Sequence, residues 1–278
     1  MKVIAIQRDP IYSPNSVDKD KKILYEVANR IDGTVIAENT LNNYSLCNCD
    51  IILNMGRLPK TIDLLKNINN KHTLIINPPQ AIENCNRATL NSIMKAHNLP
   101  FPPSTGNNGY WLKRADEVAQ NENDIVFCKD KLILQKEKQA MLQRGITKTI
   151  VQAHIKGDLI KFYGVANTDF FSVHYPTENG NMKFKNELIN GKPNHYAFKD
   201  VQLKNIANTI AKLTGTIIYG GDAIITSNGY IYIIDFNDWP SFAICREKAA
   251  DAIISVSYTH LTLPTNLRMC RSRWSPYH

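Results

Sequence analysis

Apolar residues along the first hundred positions alternate between short unbroken runs and helically spaced sets. Lys2 to Gln7 is a run of the kind that makes a buried strand, and from Asp18 to Ile31 the positions Ile23, Leu24, Val27 and Ile31 recur on one face of a helix that Gly33 ends. Short strands are expected at Thr34 to Ala37 and Ile51 to Asn54. A helix around Ile62 to Ile68, a strand at Thr73 to Ile76 and a helix from about Ala81 to His97 follow. Such alternation is the pattern of a parallel sheet covered by helices. The first turn, Arg8-Asp9-Pro10, has none of the glycines of a dinucleotide fingerprint, which excludes that reading. Leu99-Pro100-Phe101-Pro102-Pro103 makes a stiff linker, and the boundary between an N-terminal α/β domain, 1–100, and a second domain, 101–255, is expected there.

Beyond the linker strands dominate: Gly109 to Arg114, Ile125 to Cys128, Thr149 to Ile155, Leu159 to Ala166 and Phe170 to His174. Helices over Lys131 to Arg144 and Val201 to Leu213 cross between them, the second ended by Gly215. Ile217 to Thr226 and Tyr230 to Asn237 are joined through Ser227-Asn228-Gly229, and Asn-Gly predicts a hairpin with a two-residue turn at positive φ. Ser227 then faces Tyr230, and Asp222 comes opposite Asp235. Facing carboxylates lie with Cβ atoms ~5 Å apart, and at an effective dielectric of about 20 they repel by roughly 3–4 kcal/mol. A divalent cation between them reverses the sign. Asn237, two residues beyond Asp235, falls on the same face. Two carboxylates and a carboxamide form a hard-oxygen set suited to Mg²⁺, with substrate phosphates completing its shell. The alternative is a polar strand end on which Asp222 takes up a proton or points to water.

Composition narrows the class. The 278 residues suggest two lobes, and 43% hydrophobic with 21% charged residues is the make-up of a soluble globule, not of a disordered or collagen-like chain. Apolar runs such as Leu74 to Ile76 fall far short of the ~20 residues a membrane span needs. No signal peptide is expected. Six irregularly spaced cysteines read as reduced thiols of a cytoplasmic protein.

From Val256 to His278 no acid, no lysine and no structural period is found. Val256 to Thr265 can be written GTC TCT TAT ACA CAT CTG ACG CTG CCG ACG, which resembles the transposase end and adapter of short-read sequencing libraries. Cys270 to His278 resembles the flow-cell end of the same adapter. The segment 256–278 is therefore expected to be a non-native tail interrupting a helix that starts after Ser241, the alternative being a basic disordered tail. Removing its three arginines from the 33 basic residues leaves 30 against 25 acids, a net charge of +5 in place of +8. Scattered lysines at that charge do not make a nucleic-acid face.

With Tyr219-Gly220-Gly221-Asp222 followed by Asp235-Phe236-Asn237-Asp238-Trp239-Pro240, the chain resembles the ATP-grasp superfamily over essentially Met1 to Ser255, these residues matching its magnesium motif in order and spacing. The fold so implied is α/β: an N-terminal α/β lobe of the pre-ATP-grasp kind, then two α+β subdomains that clasp nucleotide, hinged near 152–158. Val151-Gln152-Ala153-His154-Ile155-Lys156-Gly157-Asp158 resembles the family's hinge. By that likeness Gln152 and the backbone of Ile155 meet the adenine edge and Asp158 the ribose hydroxyls. Lys113 looks like the strand lysine that reaches a phosphate, Arg87 stands where the family has a second lysine, and Lys161 resembles the cation that meets phosphate or acceptor. Lys113 and Lys161 are thereby the candidate catalytic residues.

The activity implied is an ATP- and Mg²⁺-dependent ligase that activates a carboxylate as an acyl phosphate for attack by an amine. Its partners are then a small-molecule carboxylate and amine, with neither nucleic acid nor membrane. A kinase on the same fold, acting on a hydroxyl of a polyol or polyphosphate, is one alternative. A nucleotide-binding module impaired in turnover is another, because Arg114 to Asn121, where the family has a glycine-rich loop, contains no glycine. His154 reads as a packed hinge residue, Trp239-Pro240-Ser241 as a border of the acceptor pocket, with Ser241 alternatively a plain helix N-cap, and Tyr175 to Lys199, with Lys183 and Lys185, as a cover for an anionic ligand or a solvated loop.

Overall fold

A computed structural model of the chain describes residues 1–68, 70, 72–116, 121–178 and 189–262. The glycine-free stretch after Lys113 is described only in part, and Lys183, Lys185 and the tail from 263 onward lie outside these residues.

Four parallel strands, β1 (Val3–Gln7), β2 (Thr34–Ala37), β3 (Ile51–Asn54) and β4 (Leu74–Ile76), lie side by side in the order β2-β1-β3-β4. Helix α1 (Val17–Arg30) buries Ile23, Leu24 and Val27 as their spacing requires, and α2 (Pro59–Lys66) starts on a proline whose missing N–H costs nothing there. The single helix expected over 81–97 is instead two, α3 (Pro79–Asn84) and α4 (Arg87–Ala96). Asn86 divides them, its side chain accepting from the Ala88 N–H at 3.1 Å as an N-cap, which sets Arg87 at the first position of α4.

Strands β5 (Tyr110–Arg114), β6 (Ile125–Cys128) and β7 (Thr149–Ala153) form an antiparallel sheet in the order β6-β5-β7, with α5 (Lys131–Gln143) packed on β5 and β6. A second antiparallel sheet combines β8 (Asp158–Val165), β9 (Phe171–His174), β10 (Ile218–Ile225) and β11 (Ile231–Asp238) in the order β11-β10-β8-β9. Its inner face, with Ile160, Phe162, Ala223 and Phe236, packs on Leu203, Ala207 and Ile210 of α6 (Asp200–Thr214). Gly215, at φ +75°, stops α6 in the left-handed conformation that glycine adopts without strain.

The last helix, α7 (Arg246–Thr262), starts five residues after Ser241, so Ser241 is not its cap. It also runs past Val256, where helical order was expected to end. Val256 follows Ile253 by three residues and continues the same buried face, and the Ser257 hydroxyl donates to the Ile253 carbonyl at 2.7 Å. Among the described residues no helix is long and apolar enough to cross a membrane.

Candidate active site

β10 and β11 bring Asp222 opposite Asp235, but by another route than a two-residue turn. Ile225 pairs with Ile231 and the Thr226 N–H donates to the Tyr230 carbonyl at 2.9 Å, so Ser227, Asn228 and Gly229 make a three-residue loop in which only Gly229 has positive φ. The additional loop residue moves the register by one, and a β-bulge moves it back. Ala223 pairs with Ile233 and Asp222 with Asp235, leaving Ile234 without a cross-strand partner. The bulge also reverses the alternation of faces. Ile231 and Ile233 lie in the core beneath α6, whereas Asp235 and Asn237, also odd-numbered, line a cleft. Gly221 permits the close approach, since a Cβ there would stand 2.3 Å from the Asp235 carbonyl oxygen.

Cations surround the two carboxylates. Lys161, beside Asp222 in register on β8, places Nζ 3.0 and 3.3 Å from the Asp222 oxygens, and Asn237 Nδ2 donates to Asp235 Oδ2 at 2.9 Å. Burial acts to raise the Asp235 pKa, but Arg87, Lys113, the Asn237 hydrogen bond and Lys161 together hold it below its ordinary value. This corrects the picture of two bare repelling carboxylates: the protein's own cations neutralise them, so removing the Asp235 charge does not relieve a repulsion. Among the described residues no group of three or more His, Cys, Asp or Glu is placed to hold a metal. Any cation here would rest on Asp222, Asp235 and Asn237 with ligand oxygens. That donor set fits Mg²⁺, which typically keeps one or two carboxylates and takes the rest from phosphate and water.

The opposite wall is the three-stranded sheet. Trp111 pairs in register with Phe127 on one side and Gln152 on the other, and all three border the cleft. The Trp111 and Phe127 rings lie 5.3 Å apart, and His154 meets Phe127 edge-on at 5.2 Å. Trp111 Nε1 donates to His154 Nδ1 at 3.1 Å, so the imidazole proton sits on Nε2, and burial together with Lys156 lowers its pKa. A neutral, ring-packed His154 fits a structural role. Lys113, on the same face as Trp111, reaches across the cleft and donates to the carbonyl of the bulged Ile234 at 2.8 Å. Burial lowers its pKa to about 8, Asp235 and Asp222 pulling upward and Arg87 downward. Arg87 donates to the Arg114 carbonyl at 2.5 Å.

Every expected site residue except Asp158 lines this one cleft, whose volume is about 820 Å³. Asp158 is 1% exposed, and its oxygens accept from the Asn194 and Tyr196 backbone N–H groups at 2.7 and 2.8 Å. It anchors that loop and is not among the residues that line the cleft.

Sequence reasoning passed over three further residues on the cleft wall. Arg8 follows β1, Arg57 lies beyond β3 and Asp238 ends β11; both arginines donate to the Asp238 carboxylate. For Arg8 the available signal was positional, for a charged residue directly after a buried parallel strand sits at the carboxyl edge where α/β sheets take ligands; Arg57, three residues past β3, and Asp238, on an antiparallel strand, carried no such signal.

No known family model matches the sequence, and no curated protein matches it. Solved structures do. A RimK domain ATP-grasp protein from Sphaerobacter thermophilus matches with a TM-score of 0.62 over 94% of this chain and 100% of its own, at 11% identity. D-alanine–D-alanine ligase from Bacillus anthracis, solved with ATP, gives 0.61 over 94% and 98% at 11% identity. D-alanyl-alanine synthetase A from Vibrio cholerae gives 0.62 over 94% and 98% at 12% identity. Likeness at such identity speaks for the fold, and this chain has the ATP-grasp fold.

Proposed function

We propose that the chain is an ATP- and Mg²⁺-dependent ligase that joins a small-molecule carboxylate to an amine. The observation that carries this reading is the opposition of Asp222 and Asp235 across the hairpin, ringed by Lys113, Lys161 and Arg87 in one cleft. Gln152 and the Ile155 backbone meet the adenine edge, with Trp111 and Phe127 as the adjoining apolar wall. Lys113 and Arg87 take phosphate oxygens, and Lys161 faces the transferred group. Mg²⁺ held by Asp222, Asp235 and Asn237 supplies charge neutralisation for the phosphates. The acceptor carboxylate attacks the γ-phosphorus, ADP leaves, and the amine displaces phosphate from the acyl phosphate. Positioning and charge do the catalysis, and no protein nucleophile is required.

Purified chain supplied with Mg-ATP should release ADP only when both a carboxylate and an amine are present. ADP release with a carboxylate-free hydroxyl compound, leaving a stable phosphoester, would decide for a kinase instead. Asp235→Asn should weaken Mg²⁺-nucleotide binding about tenfold or more, equivalent to ~1.4 kcal/mol, with a smaller effect on metal-free nucleotide. Equal loss in both conditions, read by calorimetry, would remove the metal role.

A further inference from the structure

Three residues before Lys161, where β7 passes into β8, Ile155 and Leu159 line the cleft and Asp158 between them does not. Its carboxylate is covered by another part of the chain. The Asn194 N–H donates to Oδ1 at 2.7 Å, the Tyr196 N–H donates to Oδ2 at 2.8 Å, and Asn194 Nδ2 lies 3.4 Å from Oδ1. Hydrogen bonds to a carboxylate are among the strong ones. At 1% exposure no face of Asp158 is left open.

The segment held in this way is packed along its length. His195, between the two amides, has φ +56°, a conformation that a non-glycine residue keeps only where its surroundings fix it. Its ring meets Tyr175 edge-on at 4.6 Å, and its Nε2 lies 2.8 Å from Glu178 Oε1. Tyr196 and Phe198 pack against the core beneath α6. The Ala197 carbonyl rests on the β10–β11 loop, where a Cβ on Gly229 would stand 2.9 Å from it. Asn190, at one end, lines the cleft, and the other end runs directly into α6 at Asp200. Gly191, at φ +77°, turns the chain between cleft wall and anchor without strain.

We propose that residues 190–199 are a strap pinned by Asp158, which sets Asn190 in the cleft wall, and that a nucleotide bound beside the strap is taken without its sugar hydroxyls being read. Ribose, 2′-deoxyribose and 3′-deoxyribose triphosphates then bind alike. To accept from a ribose, Asp158 would have to give up both strap amides and leave its burial. Such an exchange replaces two hydrogen bonds by two and loses the packing of the strap, so it gains nothing. The nucleotide as ligand rests on the function proposed above; the pin does not.

Amide exchange of the full chain, read by mass spectrometry without nucleotide, tests the pin. In Asp158→Asn, residues 190–199 should exchange about tenfold faster while β8 and β10 stay within about twofold of the parent chain. Calorimetry with ATP, 2′-deoxy-ATP and 3′-deoxy-ATP, each with Mg²⁺ and without carboxylate or amine, tests the sugar: the parent chain should bind all three within about twofold of one another. Asp158→Asn should weaken the three by the same factor, because Asn190 loses its place, whereas a carboxylate that read the sugar would lose more for ATP than for the deoxy forms. If Asp158→Asn does not fold, the parent's three affinities decide together with the exchange of 190–199 on adding ATP, in which the strap should keep its protection. A preference of about tenfold for ATP over either deoxy form, strap exchange unchanged in Asp158→Asn, or strap protection lost as ATP binds overturns the proposal. Binding of none of the three nucleotides removes the ligase reading, and the exchange of the substituted chain then decides the pin alone.

Discussion

Lys113 is a cation held where water scarcely reaches, at 8% exposure, between a carbonyl acceptor and two carboxylates. Its depression from 10.5 to about 8 means that the fold disfavours the charged form by ~3 kcal/mol. For a base with a lowered folded-state pKa, this cost is full below about pH 8 and fades as the pH rises to the unfolded value near 10.5. Lys113→Met removes the charge at every pH. Its stability relative to the parent chain should therefore be more favourable at pH 7 than at pH 10, by roughly 2 kcal/mol. Urea unfolding at the two pH values measures this, and a pH-independent difference would show that Lys113 is not depressed. Under the proposed function this depression is a cost that the charge of an arriving phosphate would offset.

The hairpin is where local pattern and geometry part. A three-residue loop and a bulge at Ile234 compensate, giving the Asp222–Asp235 pairing that a two-residue turn without a bulge would also give. Removing Ile234 should consequently leave the strands in register, with Ile231, Ile233 and Phe236 still on the core face. What disappears is the carbonyl that accepts Lys113 and one side chain of the cleft wall. The Ile234 deletion is expected to fold with an unchanged far-ultraviolet spectrum and to keep Asp235-dependent Mg²⁺ binding, while nucleotide affinity falls several-fold. Loss of cooperative unfolding in this variant would mean that the bulge serves the sheet and not the site.

The largest apolar core ignores the boundary drawn at the proline-rich linker. Ile23, Leu24 and Val27 of α1 and Leu53 of β3 share it with Val165, Ile218, Phe242 and, on α7, Ala249, Ile253 and Val256. The last helix thus closes the first lobe, and Arg30 on α1 pairs with Asp251 on α7 at 2.6 Å. Val256 is 2% exposed although it begins the segment expected to be a non-native tail that interrupts the helix. Ending the chain after Ser255 should then cost about 1–3 kcal/mol relative to ending it after Thr262, the scale of one buried valine with its neighbours. Thermal unfolding of the two truncated chains gives the difference, and equal midpoints would show that the seven residues between are idle.

Periodicity, caps and turn residues act over a few positions, so the sequence alone determined what depends on them. The strands at Thr34–Ala37, Ile51–Asn54 and Ile125–Cys128 stand where their patterns place them, and the left-handed stop at Gly215 ends α6 as composition requires. The opposition of Asp222 and Asp235 was legible too, though only because loop and bulge cancel. Tertiary structure alone decided which distant segments meet. Arg8 and Asp238 are 230 residues apart in the chain and touch because two sheets present their strand ends to one cleft. Asp158 is turned from that cleft because two amides of the 194–196 loop claim its oxygens. Val256 continues α7 because a lobe built from the start of the chain offers it an apolar surface. No short-range pattern encodes such contacts, since each depends on how whole sheets and helices pack and not on the residues beside it in sequence.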